Sequence, residues 1–506
     1  MSQSKSASSR RCIPLAVTAL ALLGVPAVLA QAPGSNGPAN AGSSGASGSN
    51  GSNVQTAQQQ LGSATGQSSG VSSDSFKGSI VSGKSTGTTI DLSLDDAIQR
   101  GLKQNLGLIL QTSAVKNANG QRLEMLQALL PTVTGQASIE VEQVNLAAYG
   151  LKFPGLNPII GPFQVVDFRA YLTQKVVNIS SLQDYLQSKH NFQSAKLTAE
   201  DARDMVTLTV GNAYLLCIAD AARIEAVKAE LATSKVSLDQ AVANHDAGTS
   251  PRLDVLRAQV DYQNEQQTLI STTNQLAKDK LALARTIGLP LDQEFALTTL
   301  APYAALDNVD PEAAFEQALK TRKDLAGSEE ALKAAKAGKA SARATQYPTA
   351  GIIGDFGDLG TTPGHSHGTY TATGEVSAPI LQIAKTRGAE QTAAANYDNA
   401  QAKLSDQIQQ VNADVRDNIL DVQAAAKLVE AAQSNVALAK EALSEAQQRF
   451  SAGVADDLPV SQAQSQTEQA NDQFISALYQ HNVAKLSLAR AIGVAQTSYK
   501  TYLGGK

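Results

Sequence analysis

The chain has 506 residues with a formal charge of −5, no Trp, and aromatic residues at only 4% of positions. Its mean hydropathy of −0.16 excludes a polytopic helical membrane protein, since each span needs about 20 apolar residues, and the scarcity of aromatics excludes a chain that is mostly β-barrel with aromatic girdles. Mild acidity argues against a nucleic-acid binder, which would carry a basic stripe, and an Ala- and Gln-rich chain favours long helices.

Residues 1–30 carry Lys5, Arg10 and Arg11 without an acid, then an apolar stretch from Ile13 to Leu29 that ends in Val28-Leu29-Ala30. A basic start, a short apolar core and a small-residue exit are the grammar of a secretory signal peptide. Its removal takes Cys12 with it, so Cys217 is the one remaining thiol and no intrachain disulfide is expected. Cys217 sits in the apolar run Ala213–Ile218 and reads as a small core residue. Residues 31–88 are rich in Gly, Ser, Asn and Gln, a composition that predicts a flexible low-complexity linker. Within it, Gly78-Ser79-Ile80-Val81-Ser82-Gly83-Lys84-Ser85 matches the phosphate-loop pattern in full. That pattern binds nucleotide only between a buried strand and a helix N-terminus. Here the lead-in is low complexity and the exit is Thr86-Gly87-Thr88-Thr89, so the match is read as chance.

The remainder is one unit written twice. Leu281-Ala282-Leu283-Ala284-Arg285-Thr286-Ile287-Gly288 recurs as Leu486-Ser487-Leu488-Ala489-Arg490-Ala491-Ile492-Gly493, an offset of 205 that also aligns Ala247-Gly248 with Ala452-Gly453. Upstream, Ala97, Leu102, Lys103 and Pro131 align with Ala314, Leu319, Lys320 and Pro348 at an offset of 217, which leaves 12 extra residues (217 − 205) in the first copy. The duplication predicts a first repeat over 89–300, a second over 301–496, and a C-terminal tail over 497–506. In each repeat a helix opens near Ser93 or Asp310-Pro311 and is stopped by Pro131 or Pro348. Two strands, a long helix, a tight turn and a long return helix then follow.

Period-2 alternation predicts strands at about 132–145, 163–177, 349–358 and 369–380. Val133, Gly135, Ala137, Ile139 and Val141 share one face of the first, and Val166, Phe168, Ala170 and Leu172 one face of the second. The third places Ala350, Ile352, Gly354 and Phe356 together, and the fourth Tyr370, Ala372, Gly374, Val376 and Ala378. One apolar and one wet face fit a barrel with lipid outside and water inside, or half-buried strands of a soluble sheet. Four strands cannot close a barrel of useful bore, so the barrel reading requires oligomerisation. His365 and His367 join the last two strands and are read as an exposed hairpin loop; two such residues can also bind a transition metal, but no other Cys or His lies close in sequence.

The return helices carry seven-residue seams, Val255, Tyr262, Leu269, Leu276 and Leu283 in one copy and Val460, Thr467, Phe474, His481 and Leu488 in the other. Thr467 and His481 weaken the second seam, and His481 is read as a partly buried or interface histidine rather than a ligand. Ala463, Ala470, Ala477, Ala484 and Ala491 form a small-residue line that invites close helix approach. At the hairpin turns Gly248 and Gly453 supply left-handed backbone. Ser250-Pro251 restarts one return helix, and Asp456 or Asp457 caps the other.

Leu92-Ser93-Leu94-Asp95-Asp96-Ala97-Ile98, Ala247-Gly248-Thr249 with Leu253-Asp254-Val255, Arg449-Phe450-Ser451-Ala452-Gly453-Val454 and the two Ala-Arg-x-Ile-Gly endings together resemble the TolC-like outer-membrane efflux protein family over about residues 90 to 496. The resemblance implies a mainly α fold with a minor membrane β-barrel portion. In it, a homotrimer pools its strands into one barrel in outer-membrane lipid and its helices into a periplasmic tunnel. It implies a passive exit duct of a tripartite efflux or type I secretion system, docked at the hairpin tips on a periplasmic adaptor (membrane fusion protein) beneath which stands an inner-membrane transporter. Arg449, Gly453 and Val454 match the adaptor-contact motif, as do Gly248 and Thr249 in the first copy, where Asn244 replaces the arginine. Asp254 falls at a tunnel-gate position, and Asp456 and Asp457 supply either an acidic ring or a helix cap. No cofactor or nucleic-acid partner is implied, and no nucleophile–base pair suggests an enzyme. The competing reading is an exported coiled-coil scaffold or adhesin, which would not need duplicated strand pairs.

Overall fold

The computed structural model describes residues 73–151, 153–155, 157–299, 303–306, 309–452, 454 and 458–503. The signal-peptide segment 1–30, linker residues 31–72 and the last residues of the tail, 504–506, lie outside the described residues. The first repeat runs β1 (Ile90–Leu92), α1 (Leu94–Gln104), α2 (Leu106–Gln127), β2 (Thr132–Asn145), β3 (Ile159–Val177), α3 (Ile179–Asp246), α4 (Arg252–Ile287) and β4 (Phe295–Leu297). The second runs α5 (Pro311–Thr321), α6 (Lys323–Ala344), β5 (Thr349–Gly360), β6 (Ser366–Ser377), α7 (Ile383–Ser451) and α8 (Leu458–Ile492), followed by α9 (Ala495–Tyr502).

Local chemistry explains the starts. The Ser93 hydroxyl accepts from the Asp96 amide at 3.1 Å, and Asp310 accepts from Glu312 and Ala313 ahead of Pro311 at the first helical position. The helix expected to run unbroken from Ser93 to the proline is instead two helices. It breaks at Asn105 (φ −65, ψ 130), and the second copy breaks 217 residues later at Arg322 (φ −65, ψ 120). Both residues are buried and each has a reason to leave the helical path. Asn105 caps α2 through the Gly107 amide and donates to the Phe76 carbonyl at 2.6 Å. Arg322 turns in to reach Asp324 at 2.7 Å and Asp414 at 3.2 Å.

Two further expectations are corrected. Residues 73–88, which composition assigns to the linker, lie on the body: Phe76 is buried in the main core, and the Ile80 and Ser82 amides donate to the Gln104 and Gly288 carbonyls. One aromatic ring and a few backbone bonds outweigh the polar composition around them. No helix follows Lys84-Ser85; the next regular element is β1, so the phosphate-loop geometry is absent there. In the tail, Tyr499 of α9 and Leu503, which caps its C-terminus, are buried in the same core.

The two long helices, α3 with 68 residues and α7 with 69, set the length of the body, each spanning about 100 Å at 1.5 Å per residue. α3 packs against α2, α4, α6 and α8, and α7 against α6 and α8. Gly211 on α3 lets α8 approach: an added Cβ would lie 2.4 Å from a Leu486 methyl. The second seam is better buried than its polarity suggests. Thr467 returns its hydroxyl to the Ala463 carbonyl at 2.8 Å, and Thr467, His481 and Leu488 are all buried with most of the alanine line. Cys217 is fully buried in the main core, and desolvation pushes its thiol up to about 12, which leaves it unreactive.

The four long strands form one antiparallel sheet in the order β2-β3-β5-β6. Register brings the apolar sets together. Leu172 faces Val133 and Gly354, Ala170 faces Gly135 and Phe356, and Phe356 faces Tyr370. One surface of the sheet is therefore mainly apolar, with Val133, Phe356, Tyr370 and Val376 each 68–77% exposed. On the other surface Arg169 bridges Asp167 at 2.8 Å and Asp355 at 3.3 Å. β1 and β4 form a separate parallel pair held by Tyr214, whose hydroxyl donates to the Leu92 carbonyl at 2.9 Å and accepts from the Thr299 amide at 3.2 Å. Tyr214→Phe strands both backbone groups in the core. We expect a loss of about 1–3 kcal/mol, read as a lower denaturation midpoint at unchanged helical circular dichroism.

Candidate functional site

At the far ends of the long helices the two hairpin turns lie side by side. Ala241 of α3, Ala258 of α4, Phe450 of α7 and Val460 of α8 form one buried cluster. Two polar bridges flank it: Ser461 donates to Asp261 at 2.7 Å and Gln464 to Ser237 at 3.0 Å. The structure thus joins Gly248, Thr249, Arg449 and Val454 into a single four-helix tip. Gly453, Asp456 and Asp457 lie outside the described residues.

The turns share one backbone device. The Thr249 amide reaches back to the Asn244 carbonyl at 2.9 Å, and the Val454 amide to the Arg449 carbonyl at 3.0 Å. In the first copy Gly248 takes φ +76 between them. This six-to-one bond closes the helix end with left-handed backbone. It uses the main chain of Asn244 and Arg449, which explains how different side chains occupy matching positions. In the first copy Asn244 also receives the Thr249 hydroxyl on its carbonyl, at 2.8 Å, and the Gln240 amide on its side chain, at 3.0 Å. Arg449 is exposed and, among the described residues, has no ion pair. Val454 is 73% exposed. The arginine and valine are presented outward by a turn that does not need them for its own stability.

Ser250 is not the N-cap expected from sequence. α4 starts at Arg252 behind Pro251, with no side-chain cap bond, while the Ser250 carbonyl accepts from His245 Nδ1 at 3.1 Å. Asp254 is 3% exposed, lies in the first turn of α4 where the helix dipole favours an acid, and has Arg257 at 3.8 Å. His365 and His367 are exposed at the β5–β6 end, with Thr362 at 3.0 Å from His365 Nδ1, while His367 pairs with Leu359 within the strands.

Sequence reading missed an acidic cluster farther along the bundle. Glu230 of α3, Glu265 of α4 and Glu468 of α8 bring carboxylate oxygens within 4.8 Å of one another, the one grouping among the described residues spaced to hold a cation. Asn471 donates to Glu230 at 3.0 Å, whereas Glu265 Oε2 is buried with no hydrogen-bond partner among the described residues. Burial first, and then the charges of Glu468, Glu230 and Asp261, push Glu265 up to about 7; burial likewise raises Glu230 and Glu468. The three come from different helices at unrelated positions, so no spacing rule announces them.

Two measurements check this geometry. Gly248→Val forces a β-branched side chain into positive φ, and about 1 kcal/mol or more of local stability should be lost, read as faster amide exchange confined to the tip. For the acids the folded state holds protons that the unfolded chain releases. Their stabilisation is complete below the ordinary glutamate value of 4.5 and is lost as pH rises through about 7. Glu265→Gln should therefore raise the thermal midpoint at pH 8 and leave it nearly unchanged at pH 4.5.

Comparison with known proteins adds to this picture. The family model described as outer membrane efflux protein matches residues 98–289 and 314–494, one stretch in each repeat. The solvent efflux pump outer membrane protein SrpC of Pseudomonas putida is 26% identical over 371 residues, covering 72% of this chain and 77% of that protein. The pyoverdine export outer membrane protein OpmQ of Pseudomonas putida is 25% identical over 319 residues, covering 62% and 66% respectively. Among solved structures, the CmeC outer membrane channel of Campylobacter jejuni superposes with TM-score 0.70 at 16% identity, over 83% of this chain and 92% of that one. The outer membrane protein VceC of Vibrio cholerae gives 0.69 at 18%, over 79% and 96%. The duplicated helix–strand–hairpin unit and the family match agree: the chain belongs to the outer membrane efflux protein family, and it is an outer-membrane channel protein whose helices stand in the periplasm.

Proposed function

We propose that three copies of this chain form the exit duct of a tripartite efflux or type I secretion assembly, passively conducting solute that an inner-membrane transporter delivers through a periplasmic adaptor. The observation that carries the reading is the sheet. Its four apolar strand faces align into one bare surface, while β2 and β6 remain edge strands with unpaired backbone. In lipid such edges must be paired, and pairing β6 of one copy with β2 of the next closes a twelve-stranded barrel. Its interior would carry the Arg169–Asp167–Asp355 network, a polar lining suited to water and hydrated solute. The printed names of the relatives, solvent efflux and pyoverdine export, support an export role without fixing the cargo.

In this reading the hairpin tip is the adaptor contact. Arg449 and Val454 project from the second turn, Gly248 and Thr249 shape the first, and Gly453 belongs to the same adaptor-contact motif. Asp456 and Asp457 are the acids proposed for the constriction there, and Asp254 serves instead to pin the start of α4 through Arg257.

Bilayer recording on the purified full-length protein tests the duct. Stepwise conductance from a species with the mass of three chains is expected; a monomer that never conducts would overturn it. For the tip, Arg449→Glu should raise accumulation of an efflux dye about ten-fold in cells with matched outer-membrane levels of the protein. Asn244→Glu should have a much smaller effect.

A further inference from the structure

Asp220 of α3 and Asp279 of α4 face each other across the first hairpin. Ala241 and Ala258 meet at the tip of that hairpin, and three seven-residue repeats along each helix lead from them to Asp220 and Asp279. The register that pairs the alanines thus pairs the acids, and their carboxyl groups stand within hydrogen-bonding reach. Asp220 is 4% exposed. Arg223 donates to its Oδ1 at 3.0 Å, whereas its Oδ2 is buried with no hydrogen-bond partner among the described residues. Gln275 donates to Asp279 Oδ2 at 2.8 Å. Facing carboxylates offer each other only acceptors when both are ionised, which is why the contact leaves an oxygen open.

Positive charge is scarce around the pair. Arg223 is shared with Asp472 of α8, and Lys280, beside Asp279, donates to the Phe295 carbonyl at 3.1 Å. Asp279 has no ion pair among the described residues. Tyr479 of α8 and Cys217, one turn back on α3, also face the acids, and burial keeps both neutral by raising them, Cys217 to about 12. Two carboxylates in contact and drawn from water resist ionising together. A single proton between them replaces repulsion with a hydrogen bond and engages the open oxygen. We propose that Asp220 and Asp279 share one proton and so form a pH-sensitive latch that holds α3 to α4 where the hairpin joins the main core. Cys217 and Leu283, which flank the acids in sequence, both belong to that core. Burial first, and then the hydrogen bond and charge of Asp279, raise Asp220 to about 6, with Arg223 opposing. The folded state therefore holds a proton that the unfolded chain releases. The stabilisation is complete below the ordinary aspartate value of 3.8 and is lost as pH rises through about 6. The latch uses neither the tips nor the sheet, and it holds whether or not the duct reading does.

Amide hydrogen exchange on the full-length protein in detergent tests the latch, at about pH 4.5 and about pH 7.5, with each rate referred to its intrinsic value at that pH. Protection around Asp220 and Asp279 should be about ten-fold lower at the higher pH, the equivalent of one pKa unit. Asp279→Asn, whose amide can donate to Asp220 at either pH, should remove that difference. Asp279→Ala, which ends the repulsion without adding a donor, should remove it too and serves if the asparagine variant does not fold. Glu265→Gln should leave it in place. Equal protection at the two pH values in the unaltered protein, or a difference that survives both Asp279 variants, overturns the proposal. A difference that vanishes in Glu265→Gln also overturns it, since that would assign the effect to the Glu230–Glu265–Glu468 cluster. Protection restored at the higher pH by millimolar calcium overturns it as well, because the open oxygen would then belong to a metal ion.

Discussion

A backbone amide inside a membrane has no water to bond with, and that single constraint governs the strands of this chain. β2 and β6 are the outer strands of a four-stranded sheet whose apolar face is bare. Either edge left open in lipid would cost several kcal/mol for each unpaired group. The sheet is thus complete only as part of a larger closed one, and a need for further copies follows from hydrogen-bond satisfaction before any family likeness is considered.

Below the sheet the requirement changes. In the periplasm water can satisfy the backbone, so the helices are free to be long and are limited only by how they bury their seams. α8 is the better enclosed of the two return helices, because α7 and α3 both lie against it. α4 keeps Leu253, Leu256, Val260 and Ile270 each 49% or more exposed in a single chain. The duplicated breaks at Asn105 and Arg322 offset the helical stacks at matching places, one held by a neutral amide and the other by a buried guanidinium. The same geometry is thus reached by different chemistry in the two copies, as it is at Asn244 and Arg449 in the turns.

Much of this was legible in the residues. The 205- and 217-residue offsets expose the duplication, and the alternation of Val133 to Val141 and Tyr370 to Ala378 exposes the strands, because both depend on periods that the chain writes locally. Gly248 in the left-handed region is also a local necessity. What was not legible depended on partners distant in sequence. Phe76 looked like one aromatic in a linker until it met the core. The enclosure of Asp254 within a single chain could not be read from its neighbours in sequence. Thr467 and His481 looked like flaws in a seam, yet both are buried in it, Thr467 with its hydroxyl satisfied on its own helix.

The sequence by itself determined that this is a leader followed by one unit used twice, with two-faced strands, long helices and glycine turns, since period, proline and glycine act over a few residues. Only the tertiary structure decided which acids are enclosed, that the two turns make one tip, and that Glu230, Glu265 and Glu468 meet. Burial and pairing are set by residues hundreds of positions apart, and no local pattern encodes that proximity.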